Sequence, residues 1–201
     1  MIGRVVFIIL VLFAAVAAAK ERPVAVADGA ALVRVLPERV VSRIQARKAA
    51  YAEDAADLIL SFGVGGGVGP DGIDTAIRAT RAKVRAREME RFLRADLDND
   101  GRMTAAEVEG LIARSYEGRR GKLKLAQERA DRDGDGVISA AELKAHAEAA
   151  ALAALDERDA AELMALMAFD LDRDGRVTLA EVMAGVEAVA ALDLAVVRKA
   201  I

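Results

Sequence analysis

Three twelve-residue segments carry the same set of oxygen-bearing side chains. Residues 96–107, 131–142 and 170–181 each have Asp at positions 1, 3 and 5, Gly at position 6 and Glu at position 12. A hard cation the size of Ca²⁺ takes six to eight oxygen ligands at about 2.3–2.6 Å. A short loop supplies that many when alternate residues are carboxylates and a glycine allows a sharp turn. The spacing therefore predicts three calcium sites, which we call loops one, two and three.

The other ligands follow from the position that each residue holds in its loop. Position 7 offers its backbone carbonyl oxygen, position 9 usually holds a water, and position 12 binds through both carboxylate oxygens. Because position 7 uses only the main chain, an arginine there does not count against a site. The predicted metal ligands are Asp96, Asp98, Asp100, Arg102, Thr104 and Glu107 in loop one; Asp131, Asp133, Asp135, Val137, Ser139 and Glu142 in loop two; and Asp170, Asp172, Asp174, Arg176, Thr178 and Glu181 in loop three.

At these residues the chain resembles the EF-hand superfamily, in which a calcium loop joins two helices. The resemblance covers about residues 85–195. One such loop could be an ordinary surface turn, since Asp and Gly are common turn residues, but three complete copies favour calcium binding. The resemblance implies an all-α fold, an array of helix-loop-helix units with two-residue β bridges between paired loops.

Apolar residues flank the loops at the spacing that two packed helices require. Loop one has Phe92 before it and Val108 after it, and loop three has Phe169 and Val182 in the same places. Loop two has no aromatic residue before it, and His146 stands where the family usually has an apolar residue. We therefore expect the helices around loop two to pack least well.

The composition leaves little material for catalysis or for other metals. The chain has no cysteine and one histidine, whereas zinc sites gather several of these residues. The lack of cysteine also excludes thiol nucleophiles and disulfides. Apart from the calcium carboxylates, no nucleophile or acid–base set stands out. We therefore predict that the protein is not an enzyme and assign no catalytic or cofactor-binding residues.

The first 19 residues have the pattern of an export signal. Arg4 precedes an apolar run over residues 5–19, and small residues stand at Ala17 and Ala19. This run would form about 22 Å of helix, shorter than the ~30 Å core of a membrane. The shortfall favours cleavage after Ala19 over an uncleaved anchor. Together with the Ala-rich, Arg-over-Lys composition, it predicts a bacterial protein that is periplasmic or secreted. Anchoring in the inner membrane is the alternative and requires that the segment is not cleaved.

The rest of the chain divides into three parts. Residues 20–36 are expected to form a flexible lead-in, because they contain proline and an Asp-Gly pair. Residues 37–84 are predicted to contain a helix whose first residue is Pro37, a glycine-rich degenerate hand and the start of a long helix. Residues 85–201 are predicted to hold three hands and a C-terminal helix. Breaks between the hands are expected at residues 118–121 and at Asp156, a good helix N-cap.

The glycine-rich segment, residues 63–72, resembles a fourth loop that has lost its ligands. With its Asp-Gly pair aligned to positions 5 and 6, it has glycine at positions 1 and 3 and Arg78 at position 12. We therefore predict that it binds no calcium. One helix must connect it to loop one, so the two lie at opposite ends of that helix unless it bends. The β-branched Ile138 and Val177 favour pairing of loops two and three. Loop one is then left with the glycine-rich segment or a second molecule.

The charge distribution indicates what calcium would do. The loops hold twelve of the 32 acidic residues, which leaves 20 acids against 29 bases elsewhere. Because the loop carboxylates repel one another without metal, we expect calcium to compact and stabilise the protein. The function predicted is calcium binding at three sites, as a buffer or a calcium-stabilised module. The alternative is a sensor that docks a protein partner or a membrane surface when calcium binds. An exported protein would not meet nucleic acid.

Three features bear on the sensor alternative. Methionines that cluster around loops one and three could line a docking groove, although methionine also fills irregular cores. The tail, residues 180–201, is apolar on more than one helical face, which implies burial within the fold or against a partner. A cationic run on the long helix could meet an acidic partner or lipid, although most such runs are solvated. The methionines are Met89, Met103, Met164, Met167 and Met183, and the cations are Arg78, Arg81, Lys83, Arg85, Arg87, Arg91 and Arg94.

Overall fold

The structure is a computed structural model, and it describes residues 26–193. The predicted export signal and the end of the predicted C-terminal helix lie outside these residues. Within them, helices predominate and the strands have two residues each, which confirms the predicted all-α fold. The elements are α1 (Gly29–Val35), α2 (Glu38–Phe62), β1 (Gly67–Val68), α3 (Pro70–Leu93), β2 (Met103–Thr104), α4 (Ala105–Ala113), α5 (Glu117–Ala130), β3 (Val137–Ile138), α6 (Ala140–Ala154), α7 (Glu157–Met164), a 3₁₀ turn (Ala165–Phe169), β4 (Val177–Thr178) and α8 (Leu179–Ala190). Of the helices in this range, none is long and apolar enough to cross a membrane.

The expected flexible lead-in is wrong over residues 29–35, which form α1. The carboxylate of Asp28 caps this helix and accepts a hydrogen bond from the N–H of Ala30 at 2.9 Å. Leu32 and Leu36 are buried, and α1 packs against α8. The Asp-Gly pair therefore starts a helix rather than a loose turn. Its acidic residue satisfies the first orphan N–H groups, and its glycine lets the chain approach α8 closely.

The apolar stripe predicted for α2 faces the interior. The helix begins at Glu38 with Pro37 as its N-cap, one residue later than expected, and it is kinked at Arg47. The stripe packs against α8, so α2 is held by burial along one face. The stripe residues that are buried are Val40, Val41, Ile44, Tyr51, Ala55 and Ile59, and Leu58 and Phe62 pack partly buried against them.

Helix α3 connects two hydrophobic cores. The first core lies among α1, α2, β1, the start of α3, the 3₁₀ turn, β4 and α8, where α3 contributes Ile73 and Ile77. The second core lies among the end of α3, α4, α5, β3 and α6, where α3 contributes Phe92. Because α3 has 24 residues and begins at Pro70, the glycine-rich segment and loop one lie at its opposite ends.

The predicted pairing of loops two and three is wrong. Loop one pairs with loop two, with Met103 of β2 opposite Ile138 of β3. Loop three pairs with the glycine-rich segment, with Val177 of β4 opposite Val68 of β1. All four of these side chains are buried, so β-branching does not choose the partner. The chain connections between the loops determine which loops pair. Only a short turn separates α4 from α5, whereas α3 carries the glycine-rich segment away from loop one.

The predicted breaks between the hands are half right. Helix α5 runs through both glycines of residues 118–121, and the chain turns at Ser115 and Tyr116 instead. Asp156 is the N-cap of α7, and its carboxylate accepts a hydrogen bond from the N–H of Asp159 at 2.8 Å. Glycine lowers helix stability without forbidding helix, and packing of α5 outweighs that cost.

Candidate metal centre

The helix that follows each loop fixes the position-12 glutamate. The position-9 hydroxyl is the N-cap of that helix, and the glutamate is its third residue, so the two form a capping box. In loop two, Ser139 Oγ accepts from the N–H of Glu142 at 3.2 Å, and the carboxylate accepts from the N–H of Ser139 at 3.0 Å. Thr104 with Glu107 and Thr178 with Glu181 repeat these bonds.

The second carboxylate oxygen of each glutamate closes the loop. Oε1 of Glu107 accepts from the N–H of Leu97 at 3.0 Å, ten residues earlier. Glu142 and Glu181 bind the corresponding N–H groups of Arg132 and Leu171, both at 2.9 Å. Position 12 is thereby held against position 2 in all three loops.

The aspartates turn each loop around a common centre. In loop one, the carboxylate of Asp96 accepts from the N–H groups of Asp100 at 3.2 Å and Gly101 at 3.1 Å. Asp131 and Asp170 make the equivalent bonds to the position-6 glycines. These bonds wrap the backbone around the position-1 carboxylate, so the side chains at positions 1, 3 and 12 converge.

Three of the six predicted ligand positions in each loop are brought together as carboxylate clusters. Within each cluster, one oxygen from each side chain lies within 4.8 Å of the others, a set of hard anionic donors that suits Ca²⁺. Position 5 lies outside the clusters, and its carboxylate accepts from the N–H of position 7, as Asp100 does from Arg102 at 2.7 Å. The clusters are Asp96, Asp98 and Glu107; Asp131, Asp133 and Glu142; and Asp170, Asp172 and Glu181.

Hydrogen bonding keeps two of the glutamates ionised. Backbone N–H and hydroxyl groups around Glu142, with the N–H of Ser139 first, lower its pKa to about 2. The N–H of Thr104 has the largest effect on Glu107, whose pKa is also lowered. Each carboxylate therefore stays charged, in the form that binds a cation, to a lower pH than an ordinary glutamate.

The backbone has a left-handed conformation at two positions in each loop, of which the sequence indicated one. Position 6 has φ between 78° and 85° at its three glycines, as expected. Position 4 also has positive φ, at Asn99 (59°), Gly134 (74°) and Arg173 (60°). Asn and Gly tolerate this conformation and could have signalled it, but Arg carries no such signal.

Replacing Gly101 with alanine should destabilise the metal-free protein by about 1 kcal/mol, because Ala disfavours φ of 78°. No atom lies within 4 Å of the added Cβ, so backbone strain alone should account for the loss. Gly121→Ala is the matched control, since it is equally open but lies inside α5, and should stabilise by about 0.5–1 kcal/mol. Urea denaturation in the presence of a chelator measures the stability of both variants. A loss of stability in both would contradict the explanation by backbone strain at Gly101.

His146 fills the apolar position after loop two. Its ring meets Phe92 edge-on, with 5.6 Å between ring centroids, and its Nε2 is buried without a hydrogen-bond partner among the described residues. Glu88 lies 3.6 Å from Nε2, too far for a hydrogen bond. Burial lowers the pKa of His146, and the nearby carboxylate of Glu88 only partly opposes this.

His146 should make the metal-free protein less stable as the pH falls. Its pKa is depressed in the fold, so the unfolded chain binds the proton more readily. The contribution of His146 to the free energy of unfolding is complete above the ordinary histidine pKa of about 6.5. It is lost as the pH falls below that value. Urea denaturation between about pH 7.5 and 5.5 should show this loss for the native protein and not for His146→Phe. An equal loss in the variant would contradict it, because the chain has no other histidine.

The glycine-rich segment occupies the place of a partner loop, in a register that differs from the predicted one. Val68 faces position 8 of loop three, so Gly69 falls at position 9 and Gly72 at position 12. A Cβ on Gly72 would lie 2.7 Å from a backbone oxygen of α2, so a glutamate does not fit there unless the chain shifts. Arg78, predicted at position 12, lies within α3 and pairs with Asp74 at 3.0 Å.

Comparison with known proteins supports the class of site. Residues 128–145 and 160–186 match the family model described as EF hand. These residues include loops two and three, and loop one falls outside them. Neither a curated protein nor a solved structure matches the chain. The family match and the acidic clusters together support an EF-hand calcium-binding protein.

Proposed function

We propose that the protein binds three calcium ions and acts as an exported buffer or calcium-stabilised module. The observation that carries this proposal is the repeated cluster, in which carboxylates from positions 1, 3 and 12 converge within 4.8 Å in every loop. When bound there, Ca²⁺ would neutralise carboxylates that otherwise repel one another. The residues would hold it through their oxygens and tie the two helices of each hand together.

Loop one is included although the family match does not reach it. Its glutamate makes the same two sets of hydrogen bonds as those of loops two and three, to position 9 and to position 2. Its β2 strand also pairs with β3 of loop two. The matching hydrogen bonds of the position-12 glutamate and the shared ladder support binding in loop one as in its partner.

We infer that the glycine-rich segment supports loop three without binding metal. It offers no carboxylate at positions 9 or 12, but it pairs with β4 and accepts a hydrogen bond from the Arg176 guanidinium at the Val64 carbonyl. Arg176 therefore contacts the partner segment with its side chain, and its carbonyl oxygen remains available to calcium. The segment would hold loop three in shape as a paired loop does.

The positions of the methionines support the buffer or module over the sensor. Met103 is buried, Met89 packs against the second core, and Met164 and Met167 pack against the first. Met183 is 45% exposed. A sensor groove would require the four packed side chains to move out of the cores. An apolar dye separates the two functions: calcium should reduce dye binding by a module and increase it for a sensor.

Export and the absence of catalysis remain proposals that rest on the sequence. Residues 1–19 supply the signal pattern, and the chain offers no catalytic set apart from carboxylates that serve the loops. An enzyme would need a further nucleophile or acid–base pair. Amino-terminal sequencing of the protein recovered from periplasm or medium tests export, and a first residue of Lys20 is expected.

Calorimetric titration of the metal-free protein with Ca²⁺ tests the function. We expect three ions per chain with dissociation constants of roughly 10⁻⁶ to 10⁻⁴ M, and weaker binding of Mg²⁺. Glu181→Gln should leave two such sites. A stoichiometry of two in the native protein, or equal affinity for Mg²⁺, would contradict the proposal.

A further inference from the structure

The cationic run on α3 has two halves with different surroundings. In the first half, Arg78 pairs with Asp74 at 3.0 Å, and Arg81 pairs with Glu157 of α7 at 2.8 Å. Arg81 also donates to a backbone carbonyl of the α6–α7 turn. These charges are balanced within the fold and need no external ligand.

The second half of α3 faces α5 across a cleft of about 280 Å³. Five cations from the two helices line this cleft. Arg91 pairs with Glu88, and Arg94 pairs with Glu90, the one carboxylate in the lining. The other three cations make no ion pair with any residue from 26 to 193. The five are Arg87, Arg91 and Arg94 from α3 and Arg119 and Lys122 from α5.

The cleft also offers hydrogen-bond donors. Tyr116 is the N-cap of α5, its side chain makes no capping bond, and 73% of the residue is exposed at the cleft. The first turn of α5 therefore has no cap from Tyr116 and lies at the positive end of a fourteen-residue helix. Within this turn the N–H of Arg119 already donates to the Tyr116 carbonyl at 2.9 Å, and the one carboxylate, Glu117, lies outside the cleft lining. The three cations that make no ion pair within residues 26–193 repel one another beside this helix N-terminus, and a compact anion that enters the cleft relieves the repulsion.

We propose that this cleft binds a phosphate-bearing anion through Arg87, Arg119 and Lys122. The two guanidinium groups match phosphate oxygens in planar pairs, and the lysine adds a point charge. The volume, about 280 Å³, suits one phosphate group with a small substituent. The anion is either a free phosphate compound or the headgroup of an anionic lipid, since both present the same oxygens. The proposal does not depend on calcium binding.

Titration of the protein with inorganic phosphate in calcium-free buffer tests the proposal. The triple variant Arg87→Gln, Arg119→Gln, Lys122→Gln should bind phosphate at least about tenfold more weakly, because it loses three charge-assisted contacts. The matched control Lys83→Gln, Arg114→Gln, Lys144→Gln removes the same charge from exposed positions outside the cleft and should change binding by less than about twofold. Equal losses would show a response to net charge alone and would overturn the proposal.

Sedimentation with vesicles identifies the source of the phosphate. Binding to vesicles of equal parts phosphatidylglycerol and phosphatidylcholine, but not to phosphatidylcholine alone, and its loss in the triple variant, would assign a lipid headgroup. Phosphate binding without vesicle binding would assign a free anion. Failure of both ligands to bind the native protein would overturn the proposal. Unchanged helicity of the triple variant by circular dichroism shows that it remains folded.

Discussion

Glu107→Gln is expected to lower calcium affinity at loop one about a hundredfold. The glutamate is the only residue in the loop that offers both carboxylate oxygens to the metal, and glutamine would offer one neutral oxygen. The same oxygens also close the loop, to Thr104 and to Leu97. Calorimetry should resolve the weakened site, and Glu109→Gln, an exposed position two residues later, should leave all three sites intact.

The pairing of the loops predicts which second site responds. Loops one and two share the β2–β3 ladder, so Glu107→Gln should also weaken loop two by a few fold and leave loop three unchanged. Glu181→Gln should affect loop three alone, because its partner segment has no carboxylates at the ligand positions. Amide signals of the loop glycines, followed during a calcium titration, report each site separately. A response of loop three to Glu107→Gln would contradict the observed pairing.

Phe169→Ala is expected to destabilise the protein by about 3–5 kcal/mol, the usual cost of removing a fully buried phenylalanine. The ring is inaccessible to solvent, lies 6.2 Å from the Tyr51 ring between centroids, and fills the space left by Gly185. It also immediately precedes Asp170, so the cavity should weaken calcium binding by loop three. Urea denaturation with calcium present measures the loss.

An exposed leucine supplies the control for this substitution. Leu60 on α2 is 78% exposed, so Leu60→Ala should change stability by less than about 0.5 kcal/mol. A loss below about 1 kcal/mol for Phe169→Ala would mean that this ring does not fill the first core. Tyr51, whose pKa burial raises to about 12, should then also titrate closer to its usual range.

The local chemistry of the loops could be predicted from the sequence. Positions 1, 3 and 12 converge because each ligand is placed by bonds within twelve consecutive residues. The same holds for the glycine turns and for the N-cap at Asp156. Such features depend on residue type at fixed spacing, which a single sequence contains.

Features that depend on chain connection could not be predicted in this way. The partner of each loop is set by the length of α3 and the short α4–α5 turn, and all candidate bridge residues are apolar. The Asp-Gly pair of the glycine-rich segment predicts one register, whereas the observed register is set by Val68 opposite Val177. The Asp28-Gly29 pair indicates a turn from the sequence alone, because the role of Asp28 as a cap depends on α1, with its buried Leu32, packing against α8.

The most direct test of calcium binding is the melting temperature of the chelator-treated protein before and after calcium is restored. Calcium at a hundredfold excess over the dissociation constant should stabilise the fold by about 2.7 kcal/mol per site. We predict a clear rise in melting temperature with millimolar calcium, and a smaller rise after Glu107→Gln, Glu142→Gln and Glu181→Gln are combined. An unchanged melting temperature of the native protein would contradict the account.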